Sequence, residues 1–230
     1  MIPYILNLLA SFLAVMIVIT VHEYAHAYVA VKCGDPTPQL NGRLSLNPMQ
    51  HFDPIGIVMF AIAGFGWAKP VPINPYNFRN YKKGCLWTSS AGVIVNYLSA
   101  FIFYPLYLLI AIYLTPIVAG TYAEIFFPNF VWSLFVYSLS FCVFNLLPFY
   151  PLDGFRIIDA LDKKRGKAFQ FLRKNGYYIL LGLIFLNIIS DFSPLLSRLN
   201  VLGYVMRFAT NTLGAPITWI WDKIFTLLLS

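Results

Sequence analysis

The sequence predicts an all-α polytopic membrane protein with about four to six transmembrane helices and a short membrane-associated β-hairpin or re-entrant element. Of its 230 residues, 59% are hydrophobic and only 11% are charged, whereas soluble domains carry about 25% charged residues. Several apolar runs approach the roughly 20 residues that span a bilayer. Among them lies a segment rich in Gly and Pro, which favours irregular backbone.

The first predicted element is a helix from about Tyr4 to Lys32, which Gly34–Pro36 should end. Its first 21 residues, Met1 to Val21, contain no charged side chain. The run is long for a signal peptide and lacks a basic start, so we expect a membrane span rather than a cleavable leader.

A polar, proline-broken segment follows at residues 36–53, and a short strand is predicted around Gly42 to Leu46. The apolar stretch from Ile55 to Ala63 is too short to span a bilayer. The next sequence, GFGWAKPVPINPYNF at residues 64–78, predicts the re-entrant element. Such backbone is tolerated at membrane depth only against protein or a water-filled cavity, which indicates a hydrated interior.

Further spans are predicted at about Cys85 to Val118, Phe130 to Leu147 and Tyr177 to Ile189. The sequence ends in ITWIWDKIFTLLLS, whose two Trp beside an Asp and a Lys are typical of an interfacial helix. We therefore expect a core domain at residues 1–192 and a hydrophobic or amphipathic tail at 193–230, packed on or in the membrane.

The net charge of +7 is concentrated in two clusters. Seven of the 16 Lys and Arg lie between Arg156 and Lys174, and three more are Arg79, Lys82 and Lys83. The connection at residues 119–129 has one acid and no base. Because basic loops mark the cytoplasmic side, both clusters are predicted there, in contact with lipid head groups, and nucleic acid is not expected as a partner.

The sequence HEYAH fits the pattern H-E-x-x-H at His22, Glu23 and His26. Positions i and i+4 share one face of a helix, so both imidazoles can bind one metal ion. Zinc suits two His nitrogens and a carboxylate, and Glu23 can act as the general base. The alternative is a hydrogen-bonded His pair that helps helices pack.

A third ligand must come from another part of the chain, and His22 lies roughly 15 Å before the predicted helix end. The candidates are His51, Asp53, Glu124, Asp153, Asp159 and Asp162. Asp153 follows a predicted span in the proline-broken sequence NLLPFYPLDG, which can hold a carboxylate at membrane depth. Its alternative role is the N-cap of a following helix. The others lie in polar, basic or outer loops, where capping, hydrogen bonding or solvation is favoured.

Several sequence blocks in order resemble the site-2 protease family of intramembrane zinc metalloproteases, peptidase family M50. They are HEYAH, NGRLSLNPMQHFDPIG, FGWAKPVPINPYNFRN, SAGVIVN and NLLPFYPLDG, within roughly residues 15–160. The chain is most similar to small bacterial members without PDZ or CBS domains. One position departs from the family pattern, because Val93 stands where Pro usually follows the Gly of SAGVIVN.

The resemblance implies one Zn²⁺ per chain with three ligands: His22, His26 and Asp153. It also implies that Glu23 is the general base and that Asn96 and Asn145 lie at or near the active site. As membrane asparagines, these two either hydrogen-bond a neighbouring helix or support the substrate and the tetrahedral oxyanion.

The predicted function is an intramembrane zinc metalloendopeptidase that cuts transmembrane segments near the cytoplasmic face of the cell membrane. Its expected partners are the bilayer and a membrane-spanning substrate, such as a tethered transcription factor, an anti-sigma factor or a signal-peptide remnant. The alternatives are a non-proteolytic metal-binding membrane protein and a membrane zincin acting on lipid-anchored proteins. If the first is a metal transporter, it should show repeated polar sites or paired halves, and neither is found in the sequence; if it is an inactive adaptor, it has no reason to retain Glu23 between two histidines. The second generally uses a glutamate ligand, and only Glu124 is available.

Overall fold

The computed structural model describes residues 1–63, 68–162, 164–190 and 197–229. Within these ranges the regular structure is helical. In chain order the α-helices are α1 (Ile2–Cys33), α2 (Thr37–Leu40), α3 (Pro54–Ala63), α4 (Tyr81–Leu109), α5 (Thr115–Ile117), α6 (Tyr122–Leu146), α7 (Asp153–Leu161), α8 (Lys167–Ser190) and α9 (Val201–Leu229). Single 3₁₀ turns lie at Pro48–Gln50 and Pro75–Asn77, and the π-helical turn Ile110–Leu114 joins α4 to α5.

Three of the described helical segments are long and apolar enough to cross a membrane. They are Ile2–Cys33, Tyr81–Ile117 and Tyr122–Leu146. The predicted class, an all-α multi-pass membrane protein, is therefore confirmed, but the predicted four to six spans are not. The expected span at residues 177–189 lies inside α8, whose first eight residues include three basic ones.

The predicted strand at residues 42–46 is not formed, and no hairpin of two strands is found in the described part of the chain. One isolated antiparallel bridge joins Phe52 to Ala68. The N–H of Lys69 also donates to the carbonyl of His51 at 2.9 Å. Three prolines between residues 70 and 75 lack the N–H groups that a longer ladder needs. Residues 64–67 of the predicted re-entrant element lie outside the described residues.

Helices α1, α4 and α6 pack against one another and form the core of the protein. Four alanines of α1 are fully buried, at positions 10, 14, 27 and 30. Such small side chains let membrane helices approach closely. A second part of the core is the cluster of Ala100, Tyr104, Phe135, Leu139 and Ile217, which adds α9 to the bundle.

Helix α9 is attached to α4 by two polar contacts. Pro105 has no N–H to donate to the carbonyl of Phe101 one turn earlier. The indole Nε1 of Trp221 donates to this carbonyl instead, at 3.0 Å. The hydroxyl of Tyr104 donates to Asp222 Oδ1 at 2.8 Å. In the described part of the tail, α9 therefore packs on the core, while the domain boundary predicted at residue 192 falls within 191–196, outside the described residues.

Asp35 is fully buried and joins the end of α1 to the loop before α4. Its Oδ1 accepts hydrogen bonds from the N–H of Thr37 at 3.0 Å and from Asn77 Nδ2 at 2.9 Å. Its Oδ2 accepts the N–H of Asn74 at 2.7 Å. Burial by itself raises the pKa of Asp35, but a hydrogen bond from the Thr37 hydroxyl and the three bonds above lower it overall, below the ordinary value of 3.8.

Candidate metal centre

The two histidines of α1 lie side by side in the buried interior. His22 and His26 are each 5% exposed, and their Nε2 atoms are 3.0 Å apart. They occupy one face because they are one helical turn apart. His22 precedes the end of α1 at Cys33 by about 16 Å along the axis.

Asp153 reaches this pair from the first position of α7. Its Oδ2 lies 3.3 Å from His22 Nε2 and 3.0 Å from His26 Nε2. The N-cap of α7 is Leu152, so the Asp153 carboxylate faces the histidines and does not cap its own helix. Gly154 permits this turn, because a Cβ there would lie 2.3 Å from the carbonyl oxygen of Leu146.

The hydrogen bonds behind the rings orient both Nε2 atoms toward Asp153. His26 Nδ1 lies 2.7 Å from the carbonyl oxygen of Thr88, which can only accept. Nδ1 therefore carries the proton, and Nε2 of the neutral ring presents a lone pair. The side-chain Nδ2 of Asn96 lies 3.0 Å from His22 Nδ1, and Asn96 Oδ1 is buried without a partner. The two ends of an amide are assigned from their hydrogen bonds, and turning the Asn96 amide over places Oδ1 at His22 Nδ1, which gives His22 the same tautomer as His26.

This donor set fits a zinc ion. Two imidazole nitrogens and one carboxylate oxygen converge within 4.8 Å. Asp153 Oδ2 is buried without a hydrogen-bond donor. Three lone pairs that face one another repel unless a cation lies between them, and nitrogen and carboxylate ligands suit Zn²⁺. Among the described residues, His22, His26 and Asp153 form the only group of this kind.

Helix α4 forms the wall behind the histidines. Thr88, Gly92 and Asn96 follow one another at intervals of four, so they share one helix face. A Cβ on Gly92 would lie 2.4 Å from His22 Cε1 and 2.5 Å from His26 Nε2. The sequence analysis selected Asn96 but missed Thr88 and Gly92, although this spacing was visible in the sequence.

Glu23 lies next to the centre and contacts the irregular segment before α4. Its Oε2 accepts the N–H of Val71 at 3.2 Å. Arg43 is only 4% exposed and donates to three backbone carbonyls, those of Gln50, Lys69 and Pro70. Burial lowers the pKa of Arg43, and the charge of Glu23 partly offsets this effect. The segment beside Glu23 is thus fastened by a buried cation.

The five other residues considered as third ligands make local contacts elsewhere. His51 Nε2 lies 2.6 Å from the carbonyl of a nearby serine, and Asp53 accepts N–H groups in the first turn of α3. Asp159 pairs with an arginine at 2.9 Å, and Asp162 accepts the N–H two residues later. Glu124 accepts a backbone N–H at the start of α6, at 2.7 Å.

Asn145, the second asparagine selected from the sequence, is placed differently from Asn96. Its Nδ2 donates to the carbonyl of Phe141 at 3.1 Å, within its own helix α6. This contact is the usual back-bond of a polar side chain in a helix. The structure therefore connects Asn96, but not Asn145, to the histidine pair through a hydrogen bond.

Comparison with known proteins decides the family. Residues 109–189 match Peptidase family M50, a range that contains Asp153. A protein of Bacillus subtilis (strain 168) named "Putative zinc metalloprotease YwhC" is 42% identical over 162 residues, which cover 69% of each chain. The chain belongs to peptidase family M50. The predicted family and the predicted enzyme class, a zinc metalloprotease of the site-2 type, are confirmed. No solved structure matches this M50 peptidase.

Proposed function

We propose that this M50 peptidase hydrolyses peptide bonds in the membrane-spanning segments of other proteins, near the cytoplasmic face. One zinc ion would be bound by His22, His26 and Asp153, with Glu23 as the general base. The observation that carries the proposal is the convergence of three buried acceptor atoms beside Glu23, within a helix that can cross a membrane.

The roles of the residues follow from their chemistry. Zinc, when bound, supplies Lewis-acid polarisation of water and of the scissile carbonyl. Glu23 is held by the N–H of Val71 and can take a proton from the attacking water and deliver it to the leaving nitrogen. Asn96, with its amide oxygen turned to His22 Nδ1, would hold His22 in the ligating tautomer. A role for Asn145 in transition-state support stays a prediction.

The cytoplasmic position is supported by the charges at one end of the bundle. The N–H of Arg79 donates to the carbonyl of Cys33 at 3.0 Å, which places the start of α4 beside the end of α1. Basic residues cluster at this end, and His26 lies about 10 Å from it along α1. The proposed site therefore lies nearer to the end of the bundle that carries the positive charge, which supports access from that side.

The segment from Ala68 to Val71 is proposed as the surface that receives an unwound substrate. A substrate helix hides its peptide bonds, so it must become extended before hydrolysis, and an extended chain can pair with exposed backbone. Replacing these four residues with a helix-forming linker should reduce cleavage while zinc stays bound. Unimpaired cleavage by this variant would reject the platform.

The central experiment compares Glu23→Gln with wild type in detergent or proteoliposomes. Cleavage of a fluorescent membrane-spanning reporter should fall by about 10²–10⁴-fold, since the general base is lost. Zinc content should stay near one ion per chain. Glu124→Gln is the matched control, because Glu124 is the only other glutamate and lies at the start of α6. Normal cleavage by Glu23→Gln would refute the mechanism.

The substrate class is a proposal as well. Tethered transcription factors, anti-sigma factors and signal-peptide remnants all present a membrane-spanning segment with a cytoplasmic end. Mass spectrometry of membrane fragments from cells with wild type or Glu23→Gln should show fragments that end near the cytoplasmic boundary only with wild type. Fragments that end in outer loops would contradict the proposed face.

A further inference from the structure

An apolar groove lies on the surface between α1 and α4. Its volume is about 320 Å³. Its lining residues are apolar or aromatic, and they include Val21, Ala25, Tyr28, Trp87, Ile94 and Leu98. Trp87 is 57% exposed and Leu98 is 55% exposed. Because both helices can cross the membrane, this groove opens toward lipid.

The groove follows both helices. Along α1 it extends over residues 21–29, and along α4 over residues 87–98, which correspond to roughly 12 and 16 Å of helix axis. An extended peptide would leave its N–H and C=O groups unpaired against this apolar lining. A hydrocarbon chain has no such groups and matches the chemistry of the lining.

Two lysines lie where the groove reaches the basic end of the bundle. Lys32 Nζ lies 5.4 Å from the ring centroid of Tyr28, which lines the groove. Lys83 is one helical turn before Trp87 on the same face of α4. Both lysines are exposed. The hydrogen bond from Arg79 N–H to the Cys33 carbonyl keeps these two helix ends adjacent.

Neither lysine has a carboxylate partner in the described part of the chain. Asp159 belongs to α7, which packs against α4, but it is paired with Arg165 at 2.9 Å. The N-terminus of α4 adds the positive end of its helix dipole at this position. The groove thus combines a slot for a hydrocarbon chain with unneutralised positive charge at head-group level.

We propose that this groove is a binding site for an anionic phospholipid. One acyl chain lies in the groove, and the head-group phosphate lies between Lys32 and Lys83. Lysine stems lie along apolar surface while their ammonium groups contact the head-group layer, which matches this placement. A zwitterionic lipid should bind less tightly, because the cation of its own head group is repelled by the two ammonium groups.

Trp87 allows a direct test, because bromine atoms on an acyl chain quench indole fluorescence at short range. Full-length protein in detergent is titrated with brominated-chain phosphatidylglycerol or phosphatidylcholine, and the signal of Trp87→Phe is subtracted. Half-maximal quenching should require less brominated phosphatidylglycerol than brominated phosphatidylcholine. Each of Lys32→Gln and Lys83→Gln should reduce this preference about fivefold, and both together about 25-fold.

Lys82→Gln is the matched control, since Lys82 is exposed at the same level but about 100° around the helix. It should leave the preference unchanged. Val29→Phe, which fills the groove, should abolish the Trp87-specific quenching by either lipid, while helix content and melting temperature show that the protein is folded. Equal quenching by the two lipids, or no effect of the lysine changes, would overturn the proposal. If a membrane-spanning reporter peptide displaced both lipids and cross-linked to the groove, the groove would be a substrate site and the lipid proposal would be overturned.

Discussion

Gly92→Ala should weaken zinc binding and slow cleavage without destabilising α4, the helix that contains Gly92. A Cβ at this position would lie 2.4 Å from His22 Cε1 and 2.5 Å from His26 Nε2. Ordinary contacts of a Cβ begin near 3.4 Å. The imidazoles would therefore have to move by roughly 1 Å, or α4 would have to move away from α1.

The size of the effect follows from that displacement. A misplacement of about 1 Å in a catalytic group costs on the order of 10²-fold in rate. Alanine itself favours the helical state of α4 by about 0.5–1 kcal/mol relative to glycine. The predicted loss thus arises from the histidine pair and not from a weakened helix.

The assay combines zinc content, cleavage of a membrane-spanning reporter and helix content by circular dichroism. We expect Gly92→Ala to keep its helix content, to bind zinc more weakly and to cleave about 10²-fold more slowly. Gly182→Ala is the matched control, because nothing lies within 4 Å of a Cβ at this helical position. Zinc binding and cleavage at the wild-type level in Gly92→Ala would refute this account of α4 as the wall of the site.

Three further outcomes are expected. Because hydrogen bonds lower the pKa of Asp35 in the folded protein, its contribution to stability is present above the unfolded pKa and is lost as the pH falls through the folded value. The melting-temperature difference between wild type and Asp35→Asn should therefore shrink as the pH falls below about 4, and a constant difference would contradict this. Trp221→Phe leaves the carbonyl of Phe101 without its donor and should cost about 1 kcal/mol, or about 2–4 °C in melting temperature, whereas the exposed Trp219→Phe should change it little. Chelation of zinc should lower the melting temperature of wild type but not of Asp153→Ala, and equal shifts would exclude Asp153 as a ligand.

The grouping of His22, His26 and Asp153 was largely predictable because its determinants are few and chemically specific. An i, i+4 His pair has a single common face, and Asp153 lies in a segment whose prolines prevent a regular continuation of α6. Membrane depth then separated Asp153 from the other carboxylates. The structure brings His22, His26 and Asp153 together, and their ligand role remains a prediction for the zinc measurements above.

The surroundings of the centre depend on contacts that leave no periodic pattern. The bond from Val71 N–H to Glu23 links positions 48 residues apart. Arg43 reaches carbonyls up to 27 residues away. A short strand was predicted at residues 42–46, but in the described part of the chain no partner strand lies beside it. Local sequence patterns therefore indicate which residues can react. The position of the irregular backbone around them depends on tertiary contacts, which such patterns do not reveal.

The same three elements that pack the bundle also assemble the donor set. α1 provides both histidines, α4 contacts their Nδ1 atoms through Thr88 and Asn96, and the turn after α6 provides Asp153. Since each donor atom is buried, a shift of one helix would leave a polar group unpaired in a low-dielectric interior, which costs about 1–3 kcal/mol for each group. In the proposed mechanism, helix packing and metal geometry are therefore coupled. Catalytic precision would then depend on how closely α1 and α4 approach, so we expect the missing side chain of Gly92 to matter as much as the three proposed ligands.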